Sequence, residues 1–574
     1  MYKKNRRAQQ PLLLSDVNDL PQRTLKYLKG SWAETFRREI FLRIPEDRFA
    51  VLYDADPSRP NVAVNILVGL EVLKAWHGWS DEELYEHFLF DLQVRYALGC
   101  DNFGEGDFDL RTLYYFRKRI SEYAMKGGGN LFQVVFENIT DQQIKKLNLN
   151  TRMQRMDSTQ ILSNIADLSR LELLVEAVQR LYRVLNEADQ ARYREDFQPY
   201  IQESAGQYTY RIRGKEAVWQ HIEQVGVVLH EWLGKLSAYQ EEPVYQTVKR
   251  FFEENFNLVE TQVKAKTNRE ITPGCLQSLD DLEATYRVKG SRAYKGFVAN
   301  LSETCTPENP VQLITSVQVE PNRTSDIAIL QAALPQLQER MDLHTLVTDG
   351  GYVSPDIDAQ LRQSGIEQLT TGLTGTLPDH QGGKKALSDF EMELDQDGNV
   401  TYATCPAGQS ASIRPSTSRK SFILTFASEV CQTCPLYLAD QCPIRFDQRN
   451  QRFVLTVPKD RTISSQRRRR FERTKEEART LRPAVEATVF QVKHALQRNK
   501  VRVRGLFRTA GVITCAALAV NLRRLHRYEN DRQRGKYTSM KARQAFLSAF
   551  LRSLRVRFEP VDAFHLRLCT CFSC

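Results

Sequence analysis

Three carboxylates in this 574-residue chain lie in surroundings that suit metal-dependent chemistry, and two of them follow strand patterns. Asp157 lies within the β-patterned segment 152–161, and Asp349 directly follows a second such segment, 343–348. Acids at the strand ends of an α/β sheet are held rigidly, while the loops beyond them leave room for a substrate. Such carboxylates suit hard, oxygen-seeking cations such as Mg²⁺. The alternative is that each acid only caps a strand or the turn after it.

The third carboxylate, Glu486, lies in a basic segment that is predicted to be helical. Arg482 precedes it by four residues and Lys493 follows it by seven. On an ideal helix the three side chains fall within an arc of roughly 40°. Glu472 and Glu477 also have an arginine four residues before them, but neither has a lysine seven residues after it. An acid between two cations suits a metal ligand beside phosphate-binding charges, although a solvated ion pair with Arg482 would give the same pattern.

The excess of positive charge is concentrated in one region. The chain has 80 Lys and Arg against 70 Asp and Glu, a net charge of +10, and residues 467–504 alone hold 13 basic residues against four Glu, a local charge of +9. This run indicates a polyanionic partner, unless it is only a solvated helix face. The cations predicted to contact phosphate are Arg467, Arg468, Arg469, Arg470, Arg482, Lys493, Arg502 and Arg504.

Four cysteines have the spacing of a metal site. Cys405, Cys431, Cys434 and Cys442 are separated by 25, 2 and 7 residues in a segment rich in proline and glycine. This pattern predicts a structural zinc ion, which would hold together a segment that is poor in apolar residues. His380 could replace Cys405 as a ligand, and free thiols in a loop are the alternative.

Apolar periodicity then indicates the elements that must position these residues. Helices are predicted at 62–76, 81–98 and 110–123, with Ser80 as an N-cap, and again at 325–341, 464–499 and 509–528. Strands are predicted at 152–161, 294–301, 311–319 and 343–348, and a helical stretch at about 168–263 interrupts them. Strands mixed with helices in this order predict a mixed α/β sheet.

The composition is that of a soluble globular protein of more than one domain, with 41% hydrophobic and 26% charged residues. The longest apolar stretch, near 515–522, is far shorter than the roughly 20 residues that cross a bilayer. We therefore expect no membrane association and a location in the cytoplasm. The 11 cysteines would stay reduced there. A cluster at 569–574 is either a second metal site or part of a frayed tail.

Taken together, the motifs resemble the DDE transposases of bacterial insertion sequences, in the branch whose acidic helix carries a Y-(2)-R-(3)-E-(6)-K signature. Arg482, Glu486 and Lys493 match three of its positions, and Arg479 stands at the tyrosine position. The resemblance spans about 30–527. Asp157-Ser-Thr and Asp349-Gly-Gly-Tyr resemble the segments that carry the first and second acids of the family. Residues 280–286 and 294–296 resemble the approach to the hairpin that lies between those two segments. Residues 108–117 resemble part of the helical module that precedes the core.

The resemblance implies an RNase H-like α/β fold and five parts of the chain. These are an N-terminal helical domain for DNA end binding and assembly (1–150), the first part of the core (151–376) with a helical insertion at about 165–275, a Cys-rich, zinc-ribbon-like insertion (377–460), the completion of the core with the acidic helix (461–528) and a basic C-terminal tail (529–574).

The resemblance also implies the chemistry. Asp157, Asp349 and Glu486 would hold two Mg²⁺ or Mn²⁺ ions, with Asp157 bridging them. Water would first free a 3′-OH at the terminal inverted repeats of the element, and that 3′-OH would then attack target DNA. A homodimer would hold the two ends together in the synaptic complex, and the protein would be associated with the nucleoid in the bacterial cytoplasm. Two other functions remain open: a domesticated, catalytically inactive DNA-binding protein and a stand-alone nuclease on the same fold.

Overall fold

The fold is seen in a computed structural model. It describes residues 1–6, 14–54, 60–260, 262–373, 383–395, 397–417, 420–494, 496 and 499–534, without the side chains of 477–485. His380, the cysteine cluster at 569–574 and the predicted tail beyond 534 lie outside the described residues, as do the side chains of Arg479 and Arg482.

The N-terminal part is helical, as predicted. Its helices are α1 Gln22–Lys29, α2 Trp32–Glu39, α3 Val64–His77, α4 Asp81–Phe90, α5 Leu92–Ala97, α6 Arg111–Tyr123 and α7 Leu131–Leu147. Ser80 caps α4 in a capping box with Glu83. The prediction of one helix over 81–98 is wrong, because the Asp91 carboxylate accepts hydrogen bonds from the backbone N–H groups of Gln93 and Val94 and so begins a second helix.

A long first strand and a helical insertion follow. The strand β1 Met153–Leu162 leads to α8 Arg170–Val184, α9 Glu187–Ile201, α10 Ala205–Tyr210, α11 Lys215–Lys235 and α12 Pro243–Asn255, then to the hairpin β2 Phe256–Val259 and β3 Gln262–Ala265. The insertion has its own apolar cluster, in which Phe197 and Trp232 pack together. The hairpin at its end was not predicted from the sequence.

The main sheet is completed by residues 285–370. Its elements are β4 Thr285–Lys289, β5 Arg292–Thr304, β6 Ile314–Pro321, α13 Asp326–Arg340, β7 Thr345–Thr348, α14 Pro355–Gln363 and β8 Glu367–Thr370. The strands are ordered β4-β5-β1-β7-β8, and β6 also pairs with β5. Pairing is antiparallel between β1, β5 and β6 and parallel between β1, β7 and β8. This mixed α/β arrangement is compatible with the expected RNase H-like core.

The Cys-rich segment forms a small β unit. It contains β9 Glu391–Leu394, β10 Val400–Thr404, β11 Ser412–Pro415, β12 Ser421–Phe426, α15 Ser428–Gln432, α16 Pro435–Leu438, β13 Arg445–Asp447 and β14 Arg452–Pro458. Phe390, Leu424, Phe426 and Phe453 are buried in one cluster with Cys405 and other apolar residues. The segment therefore has an apolar cluster of its own, which the sequence analysis did not predict.

Two long helices close the described chain, α17 Lys459–Lys493 and α18 Leu506–Gln533. By length and composition alone α18 could cross a membrane, contrary to the estimate from the sequence, but 67% of its apolar stretch is buried inside the protein. At its centre, Asn521 exchanges hydrogen bonds of 2.8 and 2.9 Å with both backbone groups of Ile314 on β6. The buried face and this polar anchor are those of a core helix, which packs the N-terminal helices onto the sheet.

Candidate functional site

Asp157 and Asp349 lie at equivalent levels of two adjacent parallel strands. β1 and β7 pair with Arg155 opposite Val347, and each acid comes two residues later in its own chain segment. Neighbouring strands are roughly 4.8 Å apart, and residues two positions apart share a face. The register therefore brings the two predicted carboxylates together beside the C-terminal end of β7.

The carboxyl group of Asp157 is in an unfavourable place for a negative charge. Burial raises its pKa to about 6, and the nearby carboxylate of Asp349 adds to the increase. The backbone N–H of Ser158, which donates to Asp157 Oδ1 at 2.8 Å, and the ammonium of Lys289 act in the opposite direction. The site thus holds two like charges close together and would gain from a bound cation.

The exposed Asp349 is fixed by the turn that follows β7. Its Oδ1 accepts a hydrogen bond of 2.8 Å from the backbone N–H of Gly351. Tyr352, which is fully buried, donates its hydroxyl proton to Asn300 Oδ1 on β5 at 2.7 Å. The Asp-Gly-Gly-Tyr motif therefore ties the second acid to the central strands of the sheet.

A third aspartate, Asp326, adjoins this pair and was missed in the sequence. Its Oδ1 accepts a hydrogen bond of 2.9 Å from Ser158 Oγ, and its Oδ2 lies 3.3 Å from an Arg287 guanidinium nitrogen. A Cβ added at Gly351 would lie 3.0 Å from Asp326 Oδ2 and 3.1 Å from Asp349 Oδ1, so the two carboxylates flank this glycine. In the sequence, Asp326 looks only like an acid in the first turn of a helix, here α13.

The C-terminal part of α17 is held against β1 by a buried ionic network. Glu303 on β5 accepts hydrogen bonds from Arg155 at 2.6 Å, from Thr488 at 2.5 Å and from Arg524 at 2.6 Å. Arg524 also donates to Thr488 Oγ1 at 2.6 Å. Further along the helix, Lys493 Nζ donates to Thr159 Oγ1 at 2.8 Å. The helix with the predicted signature thus lies on the strand of the first acid.

Glu486 is exposed on α17, two residues before Thr488. It shares a helix face with Lys493, about 10.5 Å earlier along the axis at 1.5 Å per residue. Within the described ranges, no three or more His, Cys, Asp or Glu side chains are arranged so that they could hold a metal ion. The structure therefore brings Asp157 and Asp349 together and places Glu486 on the adjacent helix, without a preassembled three-carboxylate site.

The hairpin between β4 and β5 adds cations that were not predicted from the sequence. Gly290 has a φ of +63° in this tight turn, which sets Lys289 and Arg292 side by side. The pKa of Lys493 is lowered, first by burial and then by the charges of Lys289 and Arg292. The three cations therefore lie close together, with Lys289 also near Asp157, and such a cluster attracts phosphate.

The predicted phosphate-contacting arginines fall into two groups. Arg467 is ion-paired with Asp358 and only 17% exposed, and Arg469 donates to the carbonyl of Asp389 at 3.0 Å. Arg468 is half-buried and Arg470 is exposed. The contacts of Arg467 and Arg469 are within the chain, so these two side chains are the weaker candidates for a contact with phosphate.

Arg502 and Arg504 lie in the loop before α18 and are partly exposed. Arg502 is 3.8 Å from Glu83, and Arg504 is 3.5 Å from Asp280. Arg504 also donates to the carbonyl of Asn164 at 2.9 Å. These ion pairs are long and solvated, so both guanidinium groups keep the capacity to bind an anion.

The four predicted zinc ligands, Cys405, Cys431, Cys434 and Cys442, line one cavity of about 20 Å³. The backbone N–H of Gln409 donates to Cys405 Sγ at 3.3 Å. Burial and then the other three cysteines raise the pKa of the Cys431 thiol to about 11. The four thiols thus share one cavity, but among the described residues they are not arranged as a metal site.

The fold and this site define a class of protein: a mixed α/β protein with paired aspartates at one edge of its sheet and a long basic helix packed against the first strand. A family model, described as the transposase DDE domain, matches residues 404–526, which are 123 of the 574 residues. The match includes Glu486 and Lys493 but not Asp157 or Asp349. It confirms the predicted similarity to DDE-type transposases and supports a transposase-type, nucleic-acid-processing enzyme. No curated protein and no solved structure matches the chain.

Proposed function

We propose that this protein is a metal-dependent DNA transposase, which cleaves DNA at the ends of its element and joins the freed strand to target DNA. The observation that carries the proposal is the register of β1 and β7, which brings Asp157 and Asp349 together beside the C-terminal end of β7. The matched family supports the same reaction class.

The donor set fits a divalent cation. Asp157 and Asp349 supply hard carboxylate oxygens, the ligands that Mg²⁺ and Mn²⁺ prefer. Their mutual repulsion, visible in the raised pKa of Asp157, would be relieved by a cation between them. Glu486 is the proposed third ligand, brought in from α17. When bound, two such ions would activate the entering oxygen and stabilise the leaving oxygen at phosphorus.

The residues around the acids position the DNA strand and the ligands. Lys289, Arg292 and Lys493 would bind the phosphates that flank the reacting bond. Asp326 holds Ser158 and Arg287 in place beside Asp157. The ion pairs of Glu303 with Arg155 and Arg524 hold α17 on the sheet. These three residues therefore position Glu486 without touching the substrate.

The wider surfaces would serve binding and assembly. Arg468, Arg470, Arg502 and Arg504 are the proposed contacts to the DNA backbone, with Arg482 beside the third acid. The N-terminal helices would bind the inverted repeats of the element, and two copies of the chain would hold two ends in one complex. The cysteine cavity would hold a structural zinc ion. We place the protein in the bacterial cytoplasm, where its DNA substrate is.

In vitro transposition tests this proposal. Full-length protein, an end-labelled duplex that carries the DNA flanking its gene, and a supercoiled plasmid are combined in the presence of Mg²⁺ or of EDTA. We expect Mg²⁺-dependent nicks at the element ends and labelled strands joined to the plasmid, both absent with Asp157→Asn. Cleavage without joining would indicate a nuclease, and binding without cleavage a domesticated DNA-binding protein. Either result contradicts the proposal.

A further inference from the structure

A cavity of about 490 Å³ lies between the N-terminal helices and the loop before α18. Helices α3 and α6 form one wall, and residues 500–508 with the start of α18 form the other. This volume is in the range of sites that take a small ligand, roughly 300–1,000 Å³. The cavity is separate from the carboxylates, and of its lining residues the proposed function uses only Arg502 and Arg504, as contacts to the DNA backbone.

The rim of the cavity is strongly positive. Seven basic and two acidic side chains line it, a difference of five charges. Both acids are already neutralised, because Glu71 binds Arg117 at 2.7 Å and Asp81 binds Arg117 and Lys74 at 2.6 Å each. The five remaining cations are Lys118, Lys500, Arg502, Arg504 and Arg508.

These five cations are poorly neutralised. Lys500 Nζ donates to a backbone carbonyl, that of Ile165, at 2.8 Å rather than to an acid. Lys118 lies 3.7 Å from Glu122 on an exposed helix face. In the part of the chain that the structure describes, Arg508 is exposed and has no ion pair. The rim therefore offers several charges to an anionic group, and phosphate is the group that clustered arginines and lysines bind best.

The floor below this rim is apolar. It includes the buried Ile120, Phe132 and Cys515, together with the half-buried Phe507. Tyr114 stands at the edge with 41% of its surface exposed. A ligand with a flat ring would pack the ring on this apolar floor and place a phosphate on the basic rim. Bases stack on aromatic or apolar side chains in the same way in other nucleic-acid sites.

The size and place of the cavity suit a single nucleotide. A duplex is too wide to enter, since its major groove alone is about 12 Å across. The cavity adjoins the end of β1, where Leu162 pairs with Asn499 and Val501 and Asn164 lines the wall. Leu162 is five residues from Asp157, roughly 16 Å along the strand.

We propose that this cavity binds one unpaired nucleotide of the DNA substrate, with its base on the apolar floor and its phosphate on the basic rim. The proposal rests on the proposed function for its DNA. It adds a second contact site, within about five base-pair steps of the reacting bond at 3.4 Å per step. Binding there would favour DNA with a displaced or unpaired nucleotide over perfect duplex.

Fluorescence anisotropy with the full-length protein in EDTA tests this. Two labelled duplexes of one sequence are compared, one blunt and one with a single unpaired nucleotide. We expect the unpaired duplex to bind about 10-fold more tightly, since one stacked base contributes a gain of this order. The preference should fall to about 2-fold or less in the Tyr114→Ala/Arg508→Ala variant.

The matched control is Tyr115→Ala/Arg213→Ala. It removes the same residue types at exposed positions, Tyr115 next to Tyr114 on α6 and Arg213 in the helical insertion, neither of which lines the cavity. The control should keep the wild-type preference. No preference in wild type, or a preference that survives in the cavity variant, overturns the proposal.

Free dAMP that bound as tightly as the unpaired duplex would also overturn it, because the site would then serve free nucleotides. Failure here is distinguishable from failure of the proposed function. The binding assay needs no Mg²⁺ and no cleavage, so an enzyme that transposes without this preference refutes only the cavity. A protein with the preference but no cleavage refutes only the proposed catalysis.

Discussion

The ammonium group of Lys493 donates a hydrogen bond of 2.8 Å to the hydroxyl of Thr159. Thr159 lies two residues after Asp157 on β1, so the two side chains share one face of the sheet. This contact places the last cation of the predicted helix signature next to the first predicted acid, although 334 positions separate the two bonded residues in the chain.

Catalysis should depend on all three proposed metal ligands. Asp157→Asn, Asp349→Asn and Glu486→Gln each remove one charge with little change of shape, so we expect the folded protein and its DNA binding to persist. Cleavage and strand transfer should each fall at least about 100-fold, because the two reactions would share one metal site. Gel assays of nicked and joined products measure both.

Two other glutamates on α17 serve as controls for this experiment. Glu472 is exposed and paired with Lys475 at 2.7 Å, and Glu477 lies on the same helix. Glu472→Gln and Glu477→Gln should keep activity. An active Glu486→Gln enzyme with an inactive Glu472→Gln enzyme would show that the acidic helix is misassigned.

Lys289 should contribute to DNA binding through phosphate. We expect Lys289→Ala to reduce the slope of log affinity against log salt concentration by about 1. Arg467→Ala should leave this slope unchanged, because Arg467 is paired with Asp358 and mostly buried. Titrations of a labelled duplex at several salt concentrations give both slopes. Equal slopes for wild type and Lys289→Ala would assign this lysine to a solvated turn.

The buried network around Glu303 should hold α17 on the sheet. The side chain of Glu303 is 3% exposed and forms ion pairs with Arg155 and Arg524. Glu303→Gln leaves both arginines without their acid, which costs about 3–5 kcal/mol for buried pairs. We expect a clearly lower denaturation midpoint and reduced cleavage. Glu472→Gln, at an exposed pair, should change stability by less than about 1 kcal/mol. A Glu303→Gln protein of wild-type stability would contradict this role.

The raised pKa of Asp157 should appear as a pH-dependent stability in the absence of divalent ions. Its folded pKa of about 6 exceeds the roughly 3.9 of an unfolded aspartate. The folded state therefore binds this proton more tightly, and the stabilisation is full below about pH 4 and lost as pH rises through 6. Asp157→Asn should remove this pH dependence.

Thermal unfolding in EDTA from pH 4 to 8 measures the effect of Asp157. Above pH 6 the Asp157→Asn variant should melt about 1–3 °C higher than wild type. Addition of Mg²⁺ should raise the midpoint of wild type more than that of the variant, because a cation offsets the charges of Asp157 and Asp349. If the unfolding midpoints of wild type and variant differ by a constant amount from pH 4 to 8, this result would contradict the raised pKa.

The four cysteines should bind about one zinc ion per chain, the number that a single Cys₄ site holds. Elemental analysis of protein purified without a metal-affinity tag measures it. Cys434→Ser should lose the ion, whereas Cys275→Ser, a buried cysteine outside the cavity, should keep it. Full zinc occupancy in Cys434→Ser would refute the assignment of these ligands.

Local patterns in the sequence were sufficient to predict many elements. The apolar spacing predicted α3, α6, α13, α17 and α18, and β-patterned runs predicted β1, β5, β6 and β7. These predictions succeeded because periodicity and caps act within a few residues. The break at Asp91 was missed, because a capping acid inside an apolar pattern is hard to recognise without its bonded N–H groups.

The sequence by itself determined which acids, cations and cysteines were candidates and which strands and helices would carry them. Only the tertiary structure decided which of them meet. The register of β1 and β7, the position of Asp326 beside Asp349 and the cations on the β4–β5 hairpin all depend on contacts between segments far apart in the chain. Such contacts depend on how side chains of distant segments pack against one another, and this packing is not specified by the local periodicity of either segment.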